Sequence, residues 1–523
     1  MANMNITKVY LLNAPLENDY KHTLYFNSKS SQEEYFKSRI VKSYEDFSYQ
    51  RKDNIIRVPD HFDNLQQVNY VMYQNSAYSS KWFYAFVTDV VYVDDGRTDI
   101  HIDTDYIQTW MFDITIKPSF VEREHVSDDT VGIHTVPEQL ETGPYICNEK
   151  TIDDKTAKVD AIYMAYNDYA NSKYDVKGNA HGGVYSGMGY DLIPFTAEGI
   201  TSLNTLLSEY DKDAKAEGIA AIFMGPSFIK EGTTWGPQTI GATWTPGKYD
   251  ISQSKSTNLN GYTPRNKKLL TFPFNYLYVS NNAGGSAVYR YESFSDSTCN
   301  FEVQWVITPG MSIRMNPKNY NGISLNNDEG INLGKYATCC WTSDAYTNWL
   351  TSNSVNVGMS LAAGAGAIVG GVALGLMTGG IGLAVAGTIG GGLLTIGNSV
   401  GQVYQHSLTP DQAKGNTNCG DVMSGSGQNC FMFYKMSLRK EYAQIIDKYF
   451  DMFGYKVNMV KTPNTHHRSR YWYTKTIDVN IDGAIPTKDM QKIKDCYNSG
   501  ITFWRNASEI QNYELSNEIR NIV

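Results

Sequence analysis

Four polar side chains alternate along one short stretch of the chain, Asp99, His101, Asp103 and Asp105, within RTDIHIDTDYIQTW. Carboxylates and an imidazole at every second residue share one face of an extended strand, where they could hold a cation or relay a proton. The same spacing describes the wet face of a half-exposed strand, with Ile100, Ile102 and Tyr106 marking the other side, and this plainer reading is preferred. His466 and His467 lie in the basic loop KTPNTHHRSR and read as a solvated turn or a subunit contact. NNDEG, Asn326 to Gly330, lacks the spaced ligands of an EF-hand. No GxxxxGKS/T, GxSxG or HExxH spacing occurs, which removes the phosphate loop, the nucleophile elbow and the zincin helix. Cys147, Cys299, Cys339, Cys340, Cys419, Cys430 and Cys496 are odd in number and form no CxxC pair. They read as mostly buried free thiols of a protein made in a reducing cytosol. No catalytic residue, metal site or cofactor is expected.

The elements that would position these residues are mostly strands. KWFYAFVTDVVYV, Lys81 to Val93, is rich in aromatic and β-branched residues and stops at the turn signal DDG. With the alternating run after it, it predicts an antiparallel hairpin with one wet face. Residues 127–330 are rich in Gly, Asn, Ser, Thr and Tyr and carry strand-like islands, AIYMAYND, FPFNYLYVS and FEVQWVITP. They read as an inserted β domain with long loops, NAHGGVYSGMGY being one of the loops. In RKEYAQIIDKYFDMFGY, apolar Tyr442, Ile445, Ile446, Tyr449 and Phe450 form the stripe of an amphipathic helix closed by Gly454. That stripe is expected to be core. A second helix over TKDMQKIKDCYN ends at Ser499-Gly500, before the strand-like ITFW.

The 523 residues carry 45 Lys and Arg against 54 Asp and Glu, a net charge of −9, and include 38 Tyr. An acidic chain is a poor partner for tight nucleic-acid binding, which runs on phosphate neutralisation. It suits a surface that DNA slides past. The N-terminus shows no basic region followed by an apolar stretch, so no secretory signal is expected.

One segment does not fit a soluble domain. From Ala345 to Pro410 there is no Asp, Glu, Lys or Arg. Within it, Met359 to Gly397 is apolar except for Ser360, Thr378, Thr388 and Thr395. A bilayer-spanning helix needs about 20 apolar residues. The pair Gly379-Gly380 divides the segment into two arms of that order, as a hairpin that enters and returns on one side would require. The bulky apolar side chains are Leu361, Ile368, Val369, Leu374, Leu376 and Met377 on the first arm. On the second they are Ile381, Leu383, Val385, Ile389, Leu393, Leu394 and Ile396. These are the residues expected to meet lipid, with Gly379 and Gly380 as the turn. About a third of the segment is Gly, each costing about 1 kcal/mol of helix stability relative to Ala. One copy would insert only marginally and several together would do better, the profile of a conditional membrane-active peptide. A buried helical hairpin and a constitutive anchor are the alternatives. The flanks lack the Lys and Arg clusters of an anchor. The Asn-, Ser- and Gly-rich stretches on both sides argue against a packed core.

Several blocks resemble the distal tail knob protein family of small short-tailed phages of Gram-positive bacteria. They are NDYKHTLYF (Asn18 to Phe26), YVMYQN (Tyr70 to Asn75), WFYAFVTDV (Trp82 to Val90), IDTDYIQTWMFD (Ile102 to Asp113) and SFVEREHV (Ser119 to Val126). LRKEYAQII, GYKVNMVKTPN (Gly454 to Asn464) and NSGITFW (Asn498 to Trp504) follow in the family's order, after the uncharged loop. The match spans roughly 18–126 and 345–523. The resemblance implies a mainly β, α+β chain whose tail-tube-like β-barrel domains assemble as a six-fold ring. It divides the chain into 1–126 and 431–523 as the two parts of the tube domain, 127–340 as an inserted β-rich knob region, and 341–430 as a long loop. It implies a protein of the virion's distal tail tip, partnered by itself and other tail proteins, with DNA passing through. On the same resemblance, the loop would plug the tube and be released to form a pore in the host cytoplasmic membrane. Six chains of −9 would total −54, a lumen that repels DNA. The alternative function is a receptor-binding tail adhesin whose apolar loop is only internal packing. A wall-degrading hydrolase is less favoured for want of an acid/base pair.

Overall fold

The aromatic run after Lys81 forms the strand Trp82–Asp94, and the alternating run forms Arg97–Thr104, paired antiparallel with it. The turn between them is closed by Asp94, whose carboxylate accepts the Gly96 N–H at 2.9 Å. Along the second strand Thr98, Ile100, Ile102 and Thr104 are buried, while Asp99, His101 and Asp103 face outward. Asp105 does not join them. The strand stops at Thr104 because Asp105 caps the short helix Tyr106–Trp110, accepting the Gln108 N–H at 2.9 Å and the Tyr70 hydroxyl at 2.8 Å. It is 1% exposed, and burial pushes its carboxyl up to about 6. The side chain read as part of a wet row is thus an interior cap, and IQTW is helical.

The structure is a computed structural model and describes residues 7–47, 54–75, 81–167, 180–181, 185–186, 188–212, 219–226, 236–239, 247–306, 312–321, 329–334, 336, 338–339 and 429–520. Two compact units result. The first comprises Met1–Thr142, Pro264–Leu269 and Glu441–Val523, and the second Gly143–Thr263 and Leu270–Lys440. Residues 127–142 therefore join the first unit, and the strand Met432–Leu438 joins the second.

In the first unit the hairpin belongs to a six-stranded antiparallel sheet, ordered Ile40–Phe47, Thr7–Leu12, Tyr70–Asn75, Trp82–Asp94, Arg97–Thr104, Ile55–Val58. A five-stranded sheet draws on both ends of the chain, in the order His22–Leu24, Ile501–Trp504, Tyr471–Ile477, Ser119–Glu124, Tyr455–Lys461. Val9, Ile100 and Ile102 from the one sheet share a core with Trp472, Ile501 and Phe503 from the other. The helix Lys440–Phe453 ends where Gly454 takes φ 63°, and a Cβ there would meet the Glu124 carbonyl oxygen at 2.1 Å. Its buried side chains are Ala443, Ile446, Asp447 and Phe450, whereas Ile445 is 65% exposed. The expected stripe is therefore rotated, and Ile445 is not core in this chain. The helix Thr487–Ser499 ends at Gly500, φ 94°, as its sequence predicts.

A strap crosses into this unit at Pro264–Leu269 and is held almost entirely by charge. Asp447 accepts the N–H groups of Arg265 at 2.7 Å and of Asn266 at 3.0 Å. Asp129 accepts the Lys267 N–H at 3.0 Å. Glu138, with a side chain only 1% exposed, pairs with both Lys268 and Arg123 and accepts the Lys456 N–H at 3.0 Å. Arg123 also donates to the Gly454 carbonyl at 2.7 Å. A buried carboxylate is tolerable only with such a full set of partners.

In the second unit, Tyr145–Ile152, Met432–Leu438, Asn275–Ser280 and Ser286–Tyr289 form one four-stranded sheet. Gly247–Ser254, Thr298–Val306, Ser312–Lys318 and Ile331–Asn332 form another. Leu277, Val279, Phe431 and Phe433 pack with Phe301, Val303, Ile313 and Met315 in a shared core. A five-stranded sheet runs Gly236–Thr239, Met188–Pro194, Ala161–Asn167, Ile219–Gly225, Thr338–Cys339. The stretch expected to be the loop NAHGGVYSGMGY instead contains the paired strands Ala180–His181 and Tyr185–Ser186 and the start of Met188–Pro194. The helix Ala197–Lys212 was not anticipated; the Thr196 hydroxyl accepts the Gly199 N–H at 3.1 Å at its start.

Candidate functional site

The bulky apolar residues of 359–397, and the Gly379-Gly380 turn, lie outside the described residues. The described structure instead holds the mount from which that segment leaves and to which it returns. On the outgoing side are the strand Ile331–Asn332, Gly334, Tyr336 and the short strand Thr338–Cys339, which pairs with Ile219–Gly225. On the returning side, Asn429, Cys430 and Phe431 lead into Met432–Leu438.

A chain leaving a sheet strands backbone donors and acceptors that must find partners if they stay buried. Asn429 supplies two of them. Its Nδ2 donates to the Gly334 carbonyl at 2.7 Å and its Oδ1 accepts the Gly334 N–H at 3.1 Å, so one side-chain amide imitates a strand partner. Asn429 is fully buried. A Cβ at Gly334 would meet Asn429 Oδ1 at 3.0 Å, so the glycine is what lets the amide approach.

Thr156 ties both sides again. Its carbonyl accepts the Tyr336 hydroxyl at 3.1 Å and its Oγ1 accepts the Phe431 N–H at 3.3 Å. The Asp153 N–H donates to the Phe431 carbonyl at 2.9 Å. Upstream, Asn281 donates to the Asn332 carbonyl at 2.7 Å. Outgoing and returning chains are thus stapled at a neck of amides, hydroxyls and backbone, with the Asp153 carboxylate behind it accepting the Thr156 hydroxyl at 2.7 Å. Burial holds the Tyr336 hydroxyl well above its ordinary pKa and pushes the Cys430 thiol up, so neither ionises near neutrality.

The other residues raised by the sequence do not converge. Asp99 is engaged by Arg57 in two hydrogen bonds of 2.7 and 2.8 Å, which hold its carboxyl below the usual range. Asp103 accepts from Asn18 at 3.4 Å. The His466 ring packs on Tyr25 and Trp472, centroids 4.4 and 5.5 Å away, and burial lowers its pKa. Among the described residues no cluster of His, Cys, Asp and Glu fits a metal ion. Cys299, Cys430 and Cys496 are buried free thiols and Cys147 is exposed. An open cleft of about 430 Å³ lies beside Tyr20, Asp103, Tyr106, Lys492 and Cys496. Burial pushes the Cys496 thiol up to about 12, which disqualifies it as a nucleophile at neutral pH. Among the described residues no helix is long and apolar enough to cross a membrane.

Comparison with known proteins decides what kind of chain carries this neck. Residues 241–518 match the family model of the C-terminal domain of the Bacillus phage phi29 tail knob protein gp9, more than half of the sequence. The chain belongs to the gp9 tail knob protein family. Residues 5–115 match the N-terminal model of caudoviral major tail proteins. The tail knob proteins gp9 of Bacillus phages phi29 and PZA are 25% and 26% identical to it, each aligned over 98% of both chains. The middle region, which showed no visible resemblance by inspection, is therefore part of the shared sequence. The solved structure of the bacteriophage C1 tail knob protein gp12 superposes with a TM-score of 0.63 at 16% identity, covering 98% of this chain and all of that one. The shared fold is mainly β with some α, as expected. Family membership makes this chain a structural tail component of a virus particle. The neck residues Gly334, Asn429 and Thr156 were not singled out in the sequence. A lone Asn ahead of the apolar run CFMFY was their one visible trace.

Proposed function

We propose that this chain builds the tail tip as a tube for DNA passage, and that its uncharged segment plugs the tube and then enters the host cytoplasmic membrane as a DNA-entry pore. The observation that carries the reading is the run from Ala345 to Pro410, free of Asp, Glu, Lys and Arg, in a chain of the tail knob family. Several copies, six by the resemblance, would bring enough apolar arms together for insertion where one pair is marginal. Other tail proteins bind the same assembly, and DNA passes an acidic lumen without being held. The protein works by assembly and insertion and catalyses no reaction.

The neutral neck supports the reading in a specific way. Gly334 and Asn429, described residues on either side of the stretch, are joined by uncharged groups, so this bond does not depend on ion pairs at a membrane surface. A charge near mid-bilayer costs roughly 3 kcal/mol on insertion scales. Virions carrying Leu374→Asp or Val385→Lys should therefore assemble intact tails, adsorb, and fail to deliver DNA. Normal plaque counts from such virions would mean the segment does not enter lipid.

A further inference from the structure

One face of a second-unit sheet is rich in tyrosine. In the sheet of Tyr145–Ile152, Met432–Leu438, Asn275–Ser280 and Ser286–Tyr289, alternate residues point away from the core. Phe433 and Leu277 point in, so Tyr434, Met436, Tyr276 and Tyr278 point out, each half-buried. The register lines up Lys150, Tyr434, Tyr278 and Val288 in one row across all four strands. Ile152 and Val288 are 41% and 46% exposed. The rings fall into two contacting groups. Tyr278 and Tyr434 are 5.8 Å apart, and Tyr145 and Tyr276 are 5.5 Å apart, with Phe272 5.8 Å beyond Tyr276.

The charge on this face has one sign. Lys150 lies over the Tyr434 ring at 5.6 Å and Arg290 over the Phe272 ring at 4.7 Å, at opposite edges. No outward position of the four strands is Asp or Glu, in a chain of net charge −9. Two carboxylates beside the face have partners of their own. Glu149 accepts from Lys435 at 2.7 Å, and Glu292 accepts the Phe272 N–H at 3.2 Å.

We propose that this tyrosine face is a contact for the headgroup layer of an anionic bilayer. Tyrosine rings favour the boundary between hydrocarbon and water, with the apolar ring inward and the hydroxyl wet. Lys and Arg at the rim pair with lipid phosphates, and the absence of carboxylates removes the repulsion that the rest of the chain would meet. Position supports the same partner. The strand bearing Tyr434 and Met436 is the one that the uncharged segment returns into through Asn429, so the face is continuous with the segment's mount. This inference rests on the membrane-entry reading.

The test uses the full chain carrying Leu374→Asp, so that the segment itself cannot insert, and flotation with phosphatidylglycerol-containing vesicles against pure phosphatidylcholine vesicles. The expected result is binding to the anionic vesicles only, weakened roughly tenfold by Lys150→Glu and as much by Tyr278→Ser with Tyr434→Ser. Circular dichroism matching the parent shows that these outward substitutions leave the fold intact. Equal binding by all variants, or none by the parent, overturns the inference. So does a loss confined to self-association in sedimentation, which would make the face a contact between copies. Dye release by the unmodified chain decides the pore reading separately. Release without face-dependent binding sinks only this inference, and face-dependent binding without release sinks only the pore.

Discussion

The strap at Pro264–Leu269 and the neck at Gly334 and Asn429 set the same structural task, holding a chain segment where it enters a compact unit, and they use opposite chemistry. The strap is held by Asp129, Glu138 and Asp447, with Arg123 and Lys268 as counter-charges. The neck is held by the Asn429 amide, the Thr156 hydroxyl and backbone groups. Charged clamps are strong only while complete, since removing one partner leaves the other charge buried. Neutral clamps are individually weaker and indifferent to pH and salt. The difference teaches that the first unit's strap depends on a complete set of charges, whereas the join between Asn429 and Gly334 depends on none.

The largest effect should come from breaking the charged clamp. Glu138→Gln leaves Arg123 and Lys268 without their shared carboxylate, and about 3–5 kcal/mol of first-unit stability should be lost in urea unfolding. A loss below about 1 kcal/mol would show that these charges are not desolvated as the structure has them.

The neutral clamp should fail more gently. Asn429→Ala removes both bonds to Gly334 and leaves its half-buried N–H and carbonyl without this partner, costing about 1–3 kcal/mol in the second unit. The deficit should be the same at pH 5 and pH 7, because no group at that bond titrates. A deficit that changes with pH would blur the contrast between the two clamps.

The last effect grows only as pH falls, and it sharpens the contrast from the acid side. His125 is fully buried beside the strap's anchor helix. Its Nδ1 accepts the Tyr473 N–H at 2.7 Å and its Nε2–H donates to the Asp451 carbonyl at 3.0 Å. Burial pulls its pKa down to about 3, with Arg468 and Arg123 adding to the effect. A depressed folded pKa contributes stability that is present above the unfolded value of about 6.5 and is lost as pH falls toward 3. The wild type should therefore lose up to about 1.4 kcal/mol per pH unit through this residue below 6.5, and His125→Gln should lose none of it. In calorimetry the gap between the two should narrow from pH 7 to pH 4. A gap that stays constant would mean the imidazole is not held neutral.

What the sequence made legible follows from period and punctuation. The long hairpin and the strand Ile501–Trp504 were readable from alternation and turn residues, and two helix ends from Gly454 and Gly500. Asp105 was misplaced because its alternation with Asp103 outweighed a second signal, an Asp with Gln three residues later, which is a helix-start pattern. Ile445 was misplaced because its apolar stripe is wide, and only tertiary packing selects Ala443, Ile446 and Phe450 as the buried edge. The helix Ala197–Lys212 hid in a Gly- and Ser-rich region whose composition suggested loops. Beyond the lone Asn before CFMFY, the two clamps were not legible. Asn266 and Asp447 are 181 residues apart and Gly334 and Asn429 are 95 apart, and no local pattern encodes such pairs. The uncharged segment was the reverse case, conspicuous in composition and needing no fold to be noticed.

The most direct measurement of the central claim is dye release from anionic liposomes by the full chain and by a chain lacking residues 359–397, at neutral and mildly acidic pH. Release by the full chain and silence from the shortened one is the predicted result, and it would place membrane entry in this segment. Equal release by both, with both folded, would contradict the account and move any membrane activity elsewhere in the chain.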